Sequence, residues 1–218
     1  MRTFGVSTLL LTALLLLSSA LPLLAHPTPL DDPAVNRTSG RSGSEEVFLA
    51  GGGGANGNEF PAAITDSIGG FAVMGDYNRT VNFDTNSLTP TSPFTNGNEF
   101  FLAEVDTTGS WNYALGADHS AGGVSFGADV TSSSGSPVVV GQMFGPVMFG
   151  STTHQVAVLD GFVAKANPSG NGWAWSSVFQ TVANQSNDNS NPTAATVDSN
   201  GDVIVAGNFK GETDFGGT

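Results

Sequence analysis

Asp198-Ser-Asn-Gly-Asp-Val-Ile-Val-Ala-Gly-Asn-Phe-Lys-Gly-Glu-Thr-Asp-Phe215 reads as a strand end, a tight turn, an apolar strand and a Gly-punctuated excursion that closes on an aromatic residue. The same frame occurs twice upstream. Gly69, Gly135 and Gly201 hold the turn, Gly75, Gly141 and Gly207 end the strand, and Phe83, Phe149 and Phe215 close the excursion; each series steps by 66 residues. Val73, Val139 and Val205 fall on the same grid, as do Tyr77, Met143 and Phe209. A fixed period of this length marks a repeat protein.

Working outward, the first unit has a hairpin from Ala62 to Asp66 and Phe71 to Gly75. A long polar loop follows, then a third strand over Phe100–Val105, a turn at Asp106-Thr-Thr-Gly109 and a fourth strand over Trp111–Leu115. The second unit repeats the order with Ala128–Ser132, Pro137–Gly141, Phe162–Ala166 and Trp173–Phe179. Its Asn167-Pro-Ser-Gly170 has the residues a type I turn favours, with Pro presetting φ at the second place. Trp111 matches Trp173 and Tyr113 matches Trp175, both 62 apart. The third unit begins at Ala194. Val47–Ala50 reads as the closing strand of an incomplete earlier unit, because Leu49 lies 66 before Leu115. The units therefore span about 61–115, 127–179 and 194–218, within a repeat region 47–218.

The second strands, Phe-Ala-Val-Met, Val-Val-Val and Val-Ile-Val-Ala, are apolar at every position. A strand buried on one face alternates, whereas one buried on both reads as a continuous run. Stacked four-stranded antiparallel blades bury both faces, so the expected fold is all-β and β-propeller-like, with about two full units plus partial ones. A β-solenoid repeats over fewer residues, and a plain sandwich has no reason for a fixed period. The excess length over a usual blade is expected in loops at Asp76–Asn98 and Gln142–Asp160. Two units, a half and a lone strand fall short of a closed ring. The expectation is therefore the N-terminal part of a longer protein, with closure by copies of the chain as the alternative.

Composition narrows the function. Of 218 residues, 39% are hydrophobic and 11% charged, with 29 Gly, which excludes disorder and a helical domain. The net charge of −13 argues against nucleic acid, whose phosphates need clustered Lys and Arg. The chain has no Cys, which removes disulfides, thiolate metal sites and Cys nucleophiles. Residues 1–25 have the form of a signal peptide: Arg2, an apolar run over Leu9–Leu17, and small-residue cleavage sites ending at Ala20 or Ala25. That run is too short for a stable membrane span. Residues 26–46 read as a flexible leader. The protein is expected to be secreted, extracellular or at the cell surface.

Candidate chemistry is sparse. Asp198, Asn200 and Asp202 offer oxygens at alternate positions, like half a calcium loop. Gly201 is fourth rather than sixth, however, and the matching segments at Asp66 and Ser132 lose most ligands, so the stretch reads as a hairpin turn. No cofactor is expected, calcium being the alternative. His26, His119 and His154 lack zinc spacing and read as leader or surface-loop residues. No Gly-x-Ser-x-Gly elbow nominates a nucleophile. Glu99, Glu104 and Asp106 raise paired carboxylates, but Glu104 aligns with Lys165 and so reads as an outward strand position. The recurrence of Trp111, Tyr113, Trp173 and Trp175 favours core packing over sugar stacking. Asn36, Asn78 and Asn184 fit the glycosylation pattern, which matters only in a eukaryotic secretory pathway.

Phe-Val-Ala-Lys-x-x-Pro-Ser-Gly-x-x-Trp (Phe162–Trp173), Ala-x-Val-Asp-Ser-Asn-Gly-Asp-Val-Ile-Val-Ala-Gly-x-Phe (Ala195–Phe209) and Asp214-Phe-Gly-Gly217 together resemble the SBBP-type β-propeller repeats. The resemblance is close in the last copy and weaker before it. It implies a blade fold and an extracellular setting, and it carries no catalytic signature. The expected function is a binding or adhesion scaffold for a protein or carbohydrate ligand, with long loops at one rim as the recognition surface. The alternatives are the propeller portion of a secreted hydrolase or lyase, and a purely structural surface module.

Overall fold

The computed structural model describes residues 52–53, 59–93, 98–182 and 188–215. The signal-peptide, leader and Val47–Ala50 readings lie outside them, as do Asn36, Asn184 and His26. The described chain is all-β, with no helix, and its sheets are antiparallel and open.

The first sheet contains β1 (Glu59–Ser67), β2 (Gly70–Tyr77), β5 (Glu99–Val105) and β6 (Trp111–Leu115), paired in the order β1-β2-β5-β6. A separate hairpin, β3 (Val81–Phe83) with β4 (Asn86–Leu88), interrupts it between β2 and β5. The second sheet runs β7 (Val124–Ser133), β8 (Ser136–Phe149), β9 (Thr152–Ala166) and β10 (Trp173–Val182), with β13 (Glu212–Asp214) added beside β10. The third unit supplies β11 (Asn189–Val197) and β12 (Val203–Lys210) as a hairpin.

Turn chemistry sets these pairings. Ser134 and Gly135 both take positive φ, 52° and 79°, as a two-residue type I′ hairpin requires. The third hairpin turns differently. Asp198 N donates to Asp202 O, Gly201 N donates to Asp198 O, and Gly201 takes φ 89°, so the loop is one residue longer. That insertion shifts the first strand of the third unit by one place. The structural counterpart of Ala194 is Asp129, not Ala128.

Each first strand carries a bulge at one point, between Pro61 and Ala63, Gly127 and Asp129, and Pro192 and Ala194. Opposite each bulge stands a glycine: Gly75, Gly141 or Gly207. A Cβ at any of these would collide with the carbonyl oxygen of Phe60, Phe126 or Asn191.

The continuous apolar runs are explained by two-sided packing. Val139 faces the first sheet in a cluster with Ala72, Met74, Phe100, Leu102 and Phe162, while Val138 and Val140 face β11–β12 beside Val163 and Val205. Phe100, Phe149, Phe162 and Trp173 interlock between the first two sheets, with Phe100–Phe162 centroids 5.1 Å apart. Burial of each such ring contributes roughly 2–3 kcal/mol.

Backbone stitches recur between units. Gly53 and Asn82 exchange two hydrogen bonds of 3.0 Å. Asp118 and Met148 do the same at 2.8 and 2.9 Å, and Gln180 pairs with Asp214 at the matching place. The Asp118–Met148 and Gln180–Asp214 stitches each tie the segment that ends one unit's fourth strand to the excursion of a neighbouring unit.

Those excursions are not the plain loops expected from sequence. Asp76–Asn98 contains the β3–β4 hairpin, packed through Val81, Phe83 and Leu88 against Phe101 and Trp111. Gln142–Asp160 is the continued β8–β9 ladder, turning at Gly150 with φ 63°. Phe83 and Phe149 close their excursions by packing on Trp111 and Trp173, at 4.8 and 5.4 Å.

Candidate functional site

A cleft of about 300 Å³ opens at one end of the first two sheets. Its walls come from both excursions: Tyr77, Leu88 and Thr91 on one side, Met148 and Gly150 on the other, with Asp118 between. The Asp118–Met148 stitch fixes their separation. Asp118 accepts from Ser120 N at 2.8 Å, and that backbone bond holds its carboxyl below the ordinary range, so it is anionic at neutral pH.

Behind the cleft lies a buried polar cluster. Glu99 Oε1 accepts from the N–H groups of Thr91 and Ser92, both at 2.6 Å, and Oε2 accepts from the Tyr77 hydroxyl at 3.0 Å. His119 Nδ1 is 3.3 Å from Oε2, close enough for charge attraction but outside hydrogen-bond geometry. Its Nε2 lies 2.8 Å from Ser125 Oγ, which also accepts from Phe100 N. Burial opposes ionisation of Glu99 most strongly, yet His119, the Ser92 N–H and Tyr77 together hold its carboxyl below the ordinary value.

Ser125, His119 and Glu99 thus stand in the order of a hydrolytic triad. All three are fully buried, and Ser125 does not line the cleft. The second unit rebuilds the same station without an imidazole. Asp160 replaces Glu99, Thr181 replaces His119 and Ser190 replaces Ser125; Ser190 Oγ accepts from Gly161 N at 2.7 Å, and Asp160 Oδ1 accepts from Thr181 N at 3.1 Å. A station that recurs with a different middle residue ties one unit's third strand to the next unit's first. Its geometry serves packing, not acyl transfer.

Several sequence readings are corrected here. His119 is a core residue, not a surface one. His154 lies on β9, where burial lowers its pKa and Nε2 meets Ser176 Oγ at 2.8 Å. Glu104 points inward, accepting from Ser67 and from Asn112 Nδ2. Glu99 and Glu104 lie five residues apart on one strand and so face opposite ways, while Asp106 is used by its own turn, accepting from Thr108 N and Ser110 N. The carboxylates therefore do not converge. Asp198 is engaged in the same way as Asp106: its Oδ1 accepts from Asn200 N at 2.8 Å and Asp202 N at 2.9 Å. Among the described residues no group of three or more His, Asp or Glu is placed to hold a metal. Asn78 is half-buried beside the β3 entry.

The aromatic residues divide. Trp111, Tyr113 and Trp173 pack in cores, and Trp173 Nε1 donates to Gly116 O at 3.0 Å. Trp175 is half-exposed and lines a second, more apolar groove of about 420 Å³ with Phe179, Val205, Gly207, Phe209 and Phe215.

No family model matches the chain, and no curated protein matches it.

Proposed function

We propose that this chain belongs to a secreted or surface-exposed, β-propeller-type repeat protein that acts as a binding scaffold, with the rim cleft as its recognition surface. The likeness to SBBP-type repeats and the signal-like residues 1–25 support the extracellular setting. Face-to-face stacking of successive sheets, with β7 packed beside both β1 and β11, supports the propeller arrangement.

One observation carries the binding role. The two longest excursions, the parts of a repeat freest to vary, converge on a single concavity at one end of the sheets. Its walls offer hydroxyls, one carboxylate and the apolar edges of Leu88 and Met148, and its size is at the lower end of small-ligand pockets. That mixture suits a hydroxyl-rich ligand, a carbohydrate or a glycan on a partner protein. A glycan array with the purified chain tests the proposal. Gly150→Asn, a residue that tolerates positive φ, narrows the mouth and is expected to abolish binding without loss of fold. An array without ligands, or binding unchanged in this variant, overturns it.

A further inference from the structure

We propose that Asn171 is a self-modifying site: in the folded chain its side-chain amide is lost by attack of the following Gly172 nitrogen, leaving aspartate and isoaspartate. An Asn-Gly pair permits this chemistry because glycine has no Cβ to obstruct ring closure and its backbone turns freely. The Gly172 nitrogen gives up its proton to water and bonds to Asn171 Cγ. Water returns a proton to the departing amine, the Cγ–Nδ2 bond breaks, and ammonia leaves a cyclic succinimide. A second water then opens the ring at either carbonyl, giving aspartate on one side and isoaspartate on the other.

Asn-Gly pairs occur at Asn56, Asn96, Asn171 and Asn200, the first two outside the described residues. Asn171 and Asn200 are both exposed, so access of water does not separate them. Hydrogen bonding does. At Asn200 the nucleophile is held, because Gly201 N donates to Asp198 O at 3.1 Å, and Asn200 Nδ2 donates to Asp198 Oδ2 at 3.2 Å. Backbone N–H groups keep the Asp198 carboxyl below its ordinary range, so it is anionic and opposes a second negative charge on Gly201 N. At Asn171 the arrangement is reversed. Among the described residues the Gly172 N–H has no hydrogen-bond partner. Asn167 Nδ2 donates to Asn171 Oδ1 at 3.1 Å, which draws electron density from Cγ and meets the charge that develops on the oxygen during attack. The nearest atom to a Cβ built on Gly172 is Asn167 Nδ2 at 3.9 Å, so the nucleophile is unobstructed on that side.

This opening comes from a departure from the repeat. In the matching turn of the first unit Asp106 N donates to Ser110 O, and Asp106 Oδ1 accepts from the N–H groups of Thr108 and Ser110. The second unit has Asn167 in that place and closes one residue later, with Asn167 N donating to Gly172 O. An Asn-Gly pair thus stands where the first unit has Ser110 alone, in a loop without a carboxylate to gather its N–H groups. Isoaspartate adds a methylene to the main chain inside that closure, which loosens the seat of Gly170 on Tyr113.

The experiment incubates the purified full chain at mildly alkaline pH, folded and in denaturant, and follows both asparagines by peptide mapping with fragmentation that separates aspartate from isoaspartate. In the folded chain Asn171 is expected to convert about tenfold faster than Asn200, the factor that one hydrogen bond to a charged group supplies. In denaturant the two rates should converge. Asn167→Asp, which copies the first unit's carboxylate, should slow conversion of Asn171 several-fold, and Asp198→Asn should speed that of Asn200. Equal or slower conversion of Asn171 in the folded chain, a difference that persists in denaturant, or an Asn167→Asp variant that converts as fast as the parent overturns the proposal.

Discussion

Lys165 Nζ donates to Ser133 Oγ at 3.0 Å, and at the matching place in the first unit Ser67 Oγ donates to Glu104. Opposite charges meet the same serine because a hydroxyl both accepts and donates. The repeat preserves the tie to the hairpin turn, not the sign of the charge. Glu104→Ala removes a buried carboxylate that holds the half-buried Ser67 and the exposed Asn112, and is expected to cost about 1 kcal/mol, the net worth of such hydrogen bonds. Glu104→Lys, which copies the second unit, should cost less than the alanine variant. Urea-unfolding midpoints of the two decide; if lysine is the worse, the equivalence fails.

Asp76 Oδ1 accepts from Gly127 N at 2.7 Å, at a bulge where the first and third units carry Pro61 and Pro192, which have no N–H to satisfy. Burial raises its pKa from 3.8 to about 6, against the lowering pull of that bond. A raised folded value means that the support is full below the unfolded pKa and is lost as pH rises through about 6. At pH 7 the ionised carboxylate is a burden of up to about 3 kcal/mol, which partial exposure screens to about 1 kcal/mol. Asp76→Asn keeps the acceptor and sheds the charge. It is expected to stabilise the protein at pH 7 by about 1 kcal/mol and to remove the decline above about pH 4, measured by denaturant titration across that range.

Where sequence and structure agree, the cause is local. The second strands are legible because two-sided burial makes them continuous, and the turns because Gly201, Gly135 and Gly170 supply positive φ. The excursions were not, since β3 is only three residues with Asn82 exposed between Val81 and Phe83, and its partner lies beyond a non-glycine turn at Asp84, φ 51°. The buried station escaped because its members come from three segments with different offsets: Glu99 and Asp160 are 61 apart, His119 and Thr181 62, Ser125 and Ser190 65. No single period brings them into line. Aligning each strand separately would have paired the acids and raised the possibility of a shared buried role.

The two stations titrate in opposite senses. The lowered pKa of Glu99 means that its ionised form supports the fold above the ordinary carboxylate range, and this support is lost as pH falls through the lowered value. Asp160 is raised, chiefly by burial; its support is full below the ordinary value and is lost as pH rises through the raised one. His119→Thr, which installs the second unit's residue in the first, removes a main opponent of burial at Glu99. The acid-unfolding limb should then move to higher pH, and Glu99→Gln should abolish the Glu99 contribution to that limb. A limb unchanged in His119→Thr would show that His119 does not hold the Glu99 charge.

Gly170 closes the turn after β9 by donating from its N–H to Asn167 O at 2.9 Å, with φ 66°, and it lies against the Tyr113 ring of the preceding unit. Two penalties therefore meet at Gly170→Ala: the left-handed backbone, about 1–2 kcal/mol, and a collision of the new Cβ with that ring, costing about 1–3 kcal/mol more. Gly201 is the control. It has φ 89°, and the nearest atom to its would-be Cβ is Ser133 Oγ at 4.0 Å, so Gly201→Ala carries the backbone penalty alone. In a Tyr113→Ala background the collision disappears, and Gly170→Ala should fall to the cost of Gly201→Ala. The double-mutant cycle on unfolding free energy measures the difference directly. A coupling energy near zero between Tyr113 and Gly170 would mean that the turn does not lean on the neighbouring sheet, and the stacking of the two units would then rest on the Phe100–Phe162 and Phe149–Trp173 contacts alone.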